Sequence, residues 1–227
     1  TFSGNLAAFN GGGIANSGTV NLDTVRVIDN TAVGSGGGIS NSRSLTLQAS
    51  VVESNSAALS GGGIANGGIG DLTLTSSAVS RNIAGVNGGG IHISAVAGLS
   101  TTFSTIDRNT SGNQGGGVYQ SSTGTVTFGS STISRNSSQS GGGIFSTEGY
   151  SLLNSTVSMN NASGNGGGLS NNGGAVSLES TTIFANSAGG TGGGIQNDSV
   201  FGPAQLRNTI IARNTGASNV DVGGMQF

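Results

Sequence analysis

Cysteine, lysine and tryptophan are absent from this 227-residue sequence, and proline occurs once. Without cysteine there is no disulfide framework and no thiolate metal site. Seven basic residues against nine acidic ones give a net charge of -2, which excludes an electrostatic nucleic-acid binder. No apolar run approaches the roughly 18 residues that span a bilayer, and no basic-then-apolar segment opens the chain, so membrane insertion is not expected. Charged residues are only 7% of the total. Low charge combined with many β-branched residues is the reverse of a disordered composition. Glycine is abundant, at 45 residues, but without the Gly-X-Y period of collagen.

The glycines instead mark a repeat. Gly-Gly-Gly begins at Gly11, Gly36, Gly61, Gly88, Gly115, Gly141, Gly166 and Gly192, with spacings of 25, 25, 27, 27, 26, 25 and 26 residues. An aliphatic residue follows each triplet: Ile14, Ile39, Ile64, Ile91, Val118, Ile144, Leu169 and Ile195. An asparagine precedes each at a near-constant distance: Asn5, Asn30, Asn55, Asn82, Asn109, Asn136, Asn160 and Asn186, with Asn214 before a degenerate Gly223-Gly224-Met225. Such a period is the signature of a solenoid. Residues 1–227 read as one domain without a linker.

Three positions before the asparagine stand Phe2, Val27, Val52, Val79, Ile106, Ile133, Val157, Ile183 and Ile211. Eight before it are Leu22, Leu47, Leu74, Thr101, Phe128, Leu152, Leu178 and Leu206; ten before it, Val20, Leu45, Leu72, Leu99, Val126, Tyr150, Val176 and Ala204. Apolar positions two apart share a face only in a strand. The repeat therefore predicts an all-β, right-handed parallel β-helix of about eight to nine windings of 24–28 residues. Three strands per winding give three parallel sheets, with windings stacked about 4.8 Å apart. The glycine triplet suits a corner that needs positive φ or close backbone approach. The asparagines read as a structural ladder, each amide bonding its neighbour one winding away.

The pairing of a Gly-Gly-x-Ile box with a short strand ending in asparagine resembles the repeats of the polymorphic outer membrane proteins and related bacterial surface proteins, within the pectin-lyase-like right-handed β-helices. The resemblance runs from Phe2 to Met225. It implies an extracellular or cell-surface, prokaryotic location and a role as adhesin or passenger stalk. Where those surface-protein repeats often carry phenylalanine three before the asparagine, this chain has valine or isoleucine except at Phe2.

Candidate chemistry is sparse. Glu53 and Asp107 stand two before their asparagines and face outward two windings apart, with Ser80 between. Their separation of roughly 9.6 Å lies at the upper edge for an inverting glycosidase pair. Arg81, Arg108 and Arg135 form the adjacent column. These are weak catalytic candidates, and solvent-facing charges of mixed sign, one per winding, are the preferred reading. His92, Tyr119 and Phe145 each follow the post-triplet aliphatic and form an outward aromatic file that would suit a glycan, a neighbouring subunit or plain self-stacking; a glycan or a host or cell surface is the expected outside partner. A lone histidine and triplets without aspartate leave no metal site, and no cofactor is expected. A threonine file at Thr105, Thr132, Thr156 and Thr182 is interrupted by Ala78 and Ile210, which weakens an ice-binding reading.

Phe2 already lies in a core column, and Met225 and Phe227 fall within another winding, so the ends are expected to be open and uncapped. Two readings follow: a fragment of a longer protein, or a subunit that stacks head to tail. The expected function is an extracellular structural or adhesive protein, a filament subunit or surface stalk without catalytic activity. The alternative is a polysaccharide-binding or polysaccharide-cleaving β-helix.

Overall fold

The computed structural model describes residues 1–199, 202–218 and 221–223, and among these there is no helix. Among the described residues, seven full windings run through four strands in fixed order, as in Val20–Asp23, Arg26–Ile28, Thr31–Ala32 and Ile39–Asn41. Equivalent strands of successive windings pair in parallel, giving sheets of eight, nine, eight and nine strands, here sheets 1 to 4 in that order. The chain is thus a parallel β-solenoid of about eight turns.

The expected three sheets become four. Sheet 3 consists of two-residue strands directly after the asparagine, such as Thr31–Ala32 and Ile83–Ala84. Two residues are too few for a visible alternation. Their inward positions hold small side chains, Ala32, Ala57, Ala84 and Ser111, so no bulky apolar column betrayed them. The other inward columns are as expected: Val27, Val52, Val79, Ile106 and Ile133 pair in register, as do Leu45 with Leu72 and Leu47 with Leu74. All are buried. Thr101 fits among the leucines by donating to Ser131 Oγ at 3.2 Å. Tyr150, 4% exposed, buries its hydroxyl with no hydrogen-bond partner among the described residues, and that burial pushes its ionisation well above the usual tyrosine value.

At the corner between sheets 2 and 3 the asparagines form a continuous ladder. Asn82 donates both its backbone N–H and its Nδ2 to Asn109 Oδ1 at 3.0 Å, and Nδ2 also reaches Val52 O of the preceding winding at 3.0 Å. The pattern runs from Asn5 through Asn30, Asn55, Asn82, Asn109, Asn136, Asn160 and Asn186 to Asn214. Because the backbone N–H can meet only an oxygen, it fixes the orientation of each amide. Asn214 finds its acceptor in Asp221, whose Oδ1 lies 2.9 Å from Nδ2 and 3.4 Å from the backbone nitrogen. Val222 pairs with Ile195, so Asp221 aligns with the third glycine of the triplets. The degenerate triplet read at Gly223-Gly224-Met225 is therefore displaced, and Met225 and Phe227 lie outside the described residues.

Two further polar files were not foreseen. Ser50, Ser77, Ser104, Ser131 and Ser155 line the corner between sheets 1 and 2, each hydroxyl accepting the amide of the preceding winding at 3.0–3.2 Å. At the end of sheet 4, Asn16 Nδ2 donates to Asn41 Oδ1 at 2.6 Å, and Asn171 Nδ2 to Asn197 Oδ1 at 2.7 Å.

The glycine triplet serves two needs at different positions. Its first member has a φ of 63–73° in all eight triplets. A Cβ on the second would come well inside 3.0 Å of backbone atoms in neighbouring windings; for Gly89 these are Gly116 O and Thr110 C and O. Left-handed backbone also recurs at non-glycine residues in two files, Ala49 (φ 47°) and Ser76 (φ 49°) in one, Arg81 and Arg108 (both φ 54°) in the other.

These positions respond oppositely to exchange of alanine and glycine. Gly89→Ala lowers stability by about 3 kcal/mol, because backbone rather than a side-chain tip must move. Ala49→Gly, at an exposed left-handed site, raises it by about 0.5 kcal/mol, the relieved strain exceeding the added chain entropy. Tyr150→Phe raises it by about 1 kcal/mol by removing an unpaired buried hydroxyl. Denaturant midpoints at constant slope measure all three.

Candidate functional site

Glu53, Ser80, Asp107 and Ser134 follow one another in register along the outward face of sheet 2, as expected. The two carboxylates are not free. Asp107, 7% exposed, accepts from Ser134 Oγ at 2.7 Å and Arg135 Nη1 at 3.1 Å through Oδ1, and from Arg108 Nη1 at 2.5 Å through Oδ2. Glu53 pairs with Arg81 through Oε1 and with Arg26 at 3.6 Å through Oε2. Arg81, Arg108 and Arg135 occupy left-handed corner positions, which aim each side chain along the carboxylate file. Arg26, outside the arginine column of the repeat, comes from the neighbouring outward column, paired with Val51.

This arrangement is an alternation of acid and base in which each carboxylate is held by two guanidiniums. A general acid needs a proton and a general base an available lone pair aimed at substrate. Here the lone pairs point at arginine and serine. The arginine side chains are 44–56% exposed, so each pair adds little stability.

The aromatic file exists. Ring centroids of His92 and Tyr119 lie 5.1 Å apart with planes 8° from parallel, and those of Tyr119 and Phe145 lie 5.7 Å apart at 3°. The rings stack on one another along sheet 4, so the faces that a sugar would cover are already covered by ring. Phe145 is 3% exposed, and the flanking members of the column, Ala65 and Ser170, are buried too. The same three windings interrupt the second asparagine file, carrying Ile93, Gln120 and Ser146 on the inward side. Burial of His92 pushes its imidazole down to about 4.

Elsewhere a shallow depression of about 350 Å³ lies over sheet 1 between Asp71, Thr73, Ser100, Thr125 and Thr127. Asp71 Oδ1 accepts the Gly98 amide at 3.0 Å, which ties the only carboxylate of that depression to the backbone. No group of three or more histidine, aspartate or glutamate residues is placed to hold a metal among the described residues. From ladder asparagine to triplet, the first eight windings contain no charged residue. That uncharged side exposes Val33, Leu59, Ile83 and Val86.

No family model, no curated protein and no solved structure matches this chain.

The buried imidazole makes stability depend on pH. His92 is neutral in both states above pH 6.5; below that value the unfolded chain takes up a proton that the folded chain refuses until about pH 4. Stability therefore falls on acidification through this window, by up to about 1.4 kcal/mol per pH unit. His92→Phe continues the stack and removes this dependence. Unfolding midpoints of both proteins between pH 7 and pH 5, above the bulk of carboxylate titration, measure the difference.

Proposed function

We propose that this chain is a non-catalytic structural solenoid, a stiff extracellular or cell-surface rod of the stalk or adhesin kind, in a prokaryote. The observation that carries this reading is the state of Glu53 and Asp107: the best acid–base candidates are both bound by arginine pairs. Further support comes from the interior, where most inward positions form apolar or hydrogen-bonded files, and from the resemblance of the Gly-Gly-x-Ile and asparagine pattern to bacterial surface-protein repeats. The uncharged side with Val33, Leu59, Ile83 and Val86 is the part of the rod best suited to adhesive contact, since it can meet another surface without stripping water from ions. Head-to-tail filament growth is the weaker branch of the reading, because the Asp221 carboxylate already serves the Asn214 end of the ladder.

The test is enzymatic and cellular. Wild-type protein incubated with acidic and neutral polysaccharides releases no new reducing or unsaturated ends, and antibody labels intact producing cells. Release by the wild type that Glu53→Gln or Asp107→Asn abolishes, with unchanged circular dichroism, overturns the structural reading in favour of a hydrolase or lyase. Label that appears only after lysis removes the surface assignment.

A further inference from the structure

The asparagine ladder has a direction, and its first and last members in this chain, Asn5 and Asn214, are bonded differently. Each member donates two hydrogen bonds to the next and accepts two from the one before. Asn5 donates its backbone N–H and Nδ2 to Asn30 Oδ1, at 3.0 and 2.8 Å, and among the described residues no donor reaches Asn5 Oδ1. At the other end Asn214 presents two donors that need an oxygen. In every earlier winding that oxygen is the next asparagine's Oδ1; here it is Asp221 Oδ1.

Asp221 reaches that oxygen's place from an unusual position. It stands where the third glycine of each triplet stands, one residue before the aliphatic position taken by Val222. A Cβ built on any of the eight third glycines would fall 2.9–3.1 Å from the Nδ2 of the next winding's asparagine. A side chain at that position and an asparagine seated on the following winding therefore compete for one volume. Glycine leaves the seat open in all eight triplets; Asp221 fills it with its own carboxylate.

We propose that Asp221 is the terminator of the ladder: it saturates the donors of Asn214 and fills the seat of any further ladder asparagine, Asn5 of a second copy of this chain included. An end-on dimer in register would have to seat Asn5 where the Asp221 carboxylate is, displacing an acceptor already engaged. The inference is independent of whether the rod is a stalk, an adhesin or an enzyme.

Three substitutions separate the two parts of the proposal. Asp221→Ala removes the acceptor but keeps a Cβ in the seat. Hydrogen-exchange protection at the Asn214 amide then falls by roughly tenfold or more, and light scattering still gives the monomer mass at every concentration. Asp221→Gly removes both acceptor and obstruction. The same protection is lost, and the mass now rises with concentration as Asn214 finds Asn5 of another copy. Adding Asn5→Ala to Asp221→Gly returns the mass to the monomer, which separates ladder-mediated stacking from aggregation. Wild-type protein that itself grows end to end overturns the proposal. So does an Asp221→Gly protein that matches the wild type in both mass and Asn214 protection, or one whose association is indifferent to Asn5→Ala.

Discussion

A carboxamide column in which the donors and acceptors between Asn30 and Asn186 are all taken imposes most of the other constraints in this molecule. One asparagine in each winding must place Oδ1 within reach of two donors from the winding behind, while its own Nδ2 reaches both forward and back. A buried amide that failed any of these would strand polar groups in the interior. The register of sheet 2 and sheet 3 is therefore fixed at their shared corner, and a one-residue slip is resisted by several hydrogen bonds at once. The third glycine follows from the same requirement, because the amide of the next winding lies where its Cβ would project. Variation in winding length, 25 to 27 residues between triplets, is then absorbed away from this corner.

Most of the interior could be read from the residue pattern because the period is short and the columns are chemically uniform. The aliphatic files of sheets 1, 2 and 4 recur at constant or near-constant offsets from the ladder asparagine. Sheet 3 could not be read, since Ala32, Ala57 and Ala84 carry too little apolar surface to distinguish a strand from a turn. The serine file was visible as Ser50, Ser77, Ser104, Ser131 and Ser155 five before each asparagine, but serine in a presumed bend has an ordinary explanation as a turn former. The left-handed corners were hidden for a different reason. Arg81, Met159 and Ala185 share a positive φ without glycine or asparagine among them, so propensity was overruled by the stacking of neighbouring windings.

The surface chemistry was legible as residue type and column, and not as interaction. Glu53 and Asp107 were correctly aligned, yet nothing in the spacing showed that Arg26 would reach Glu53 from another column or that Ser134 would bind Asp107. In a stack with windings about 4.8 Å apart, an arginine spans one to two windings and can find any acid within that range. Alignment of carboxylates on a solenoid therefore does not distinguish a catalytic pair from a neutralised one; the partners of their lone pairs do. The aromatic file makes the same point, since three rings one winding apart are at the right distance to cover each other before they cover a ligand.

A polar column with a direction cannot be ended by the same group at both ends. The forward direction ends in donors, the backbone N–H and Nδ2 of Asn214, while an asparagine at the rear, such as Asn5, turns the lone pairs of its Oδ1 backward. A carboxylate only accepts, so it can satisfy the forward end and would repel the oxygen at the rear. The placement of the acidic group at Asp221, in the third-glycine position where every other winding must leave room for the next amide, is therefore not one surface charge among nine acidic residues. It is the one acid whose side chain stands in for a missing asparagine, and its sign is the one that the direction of the ladder demands.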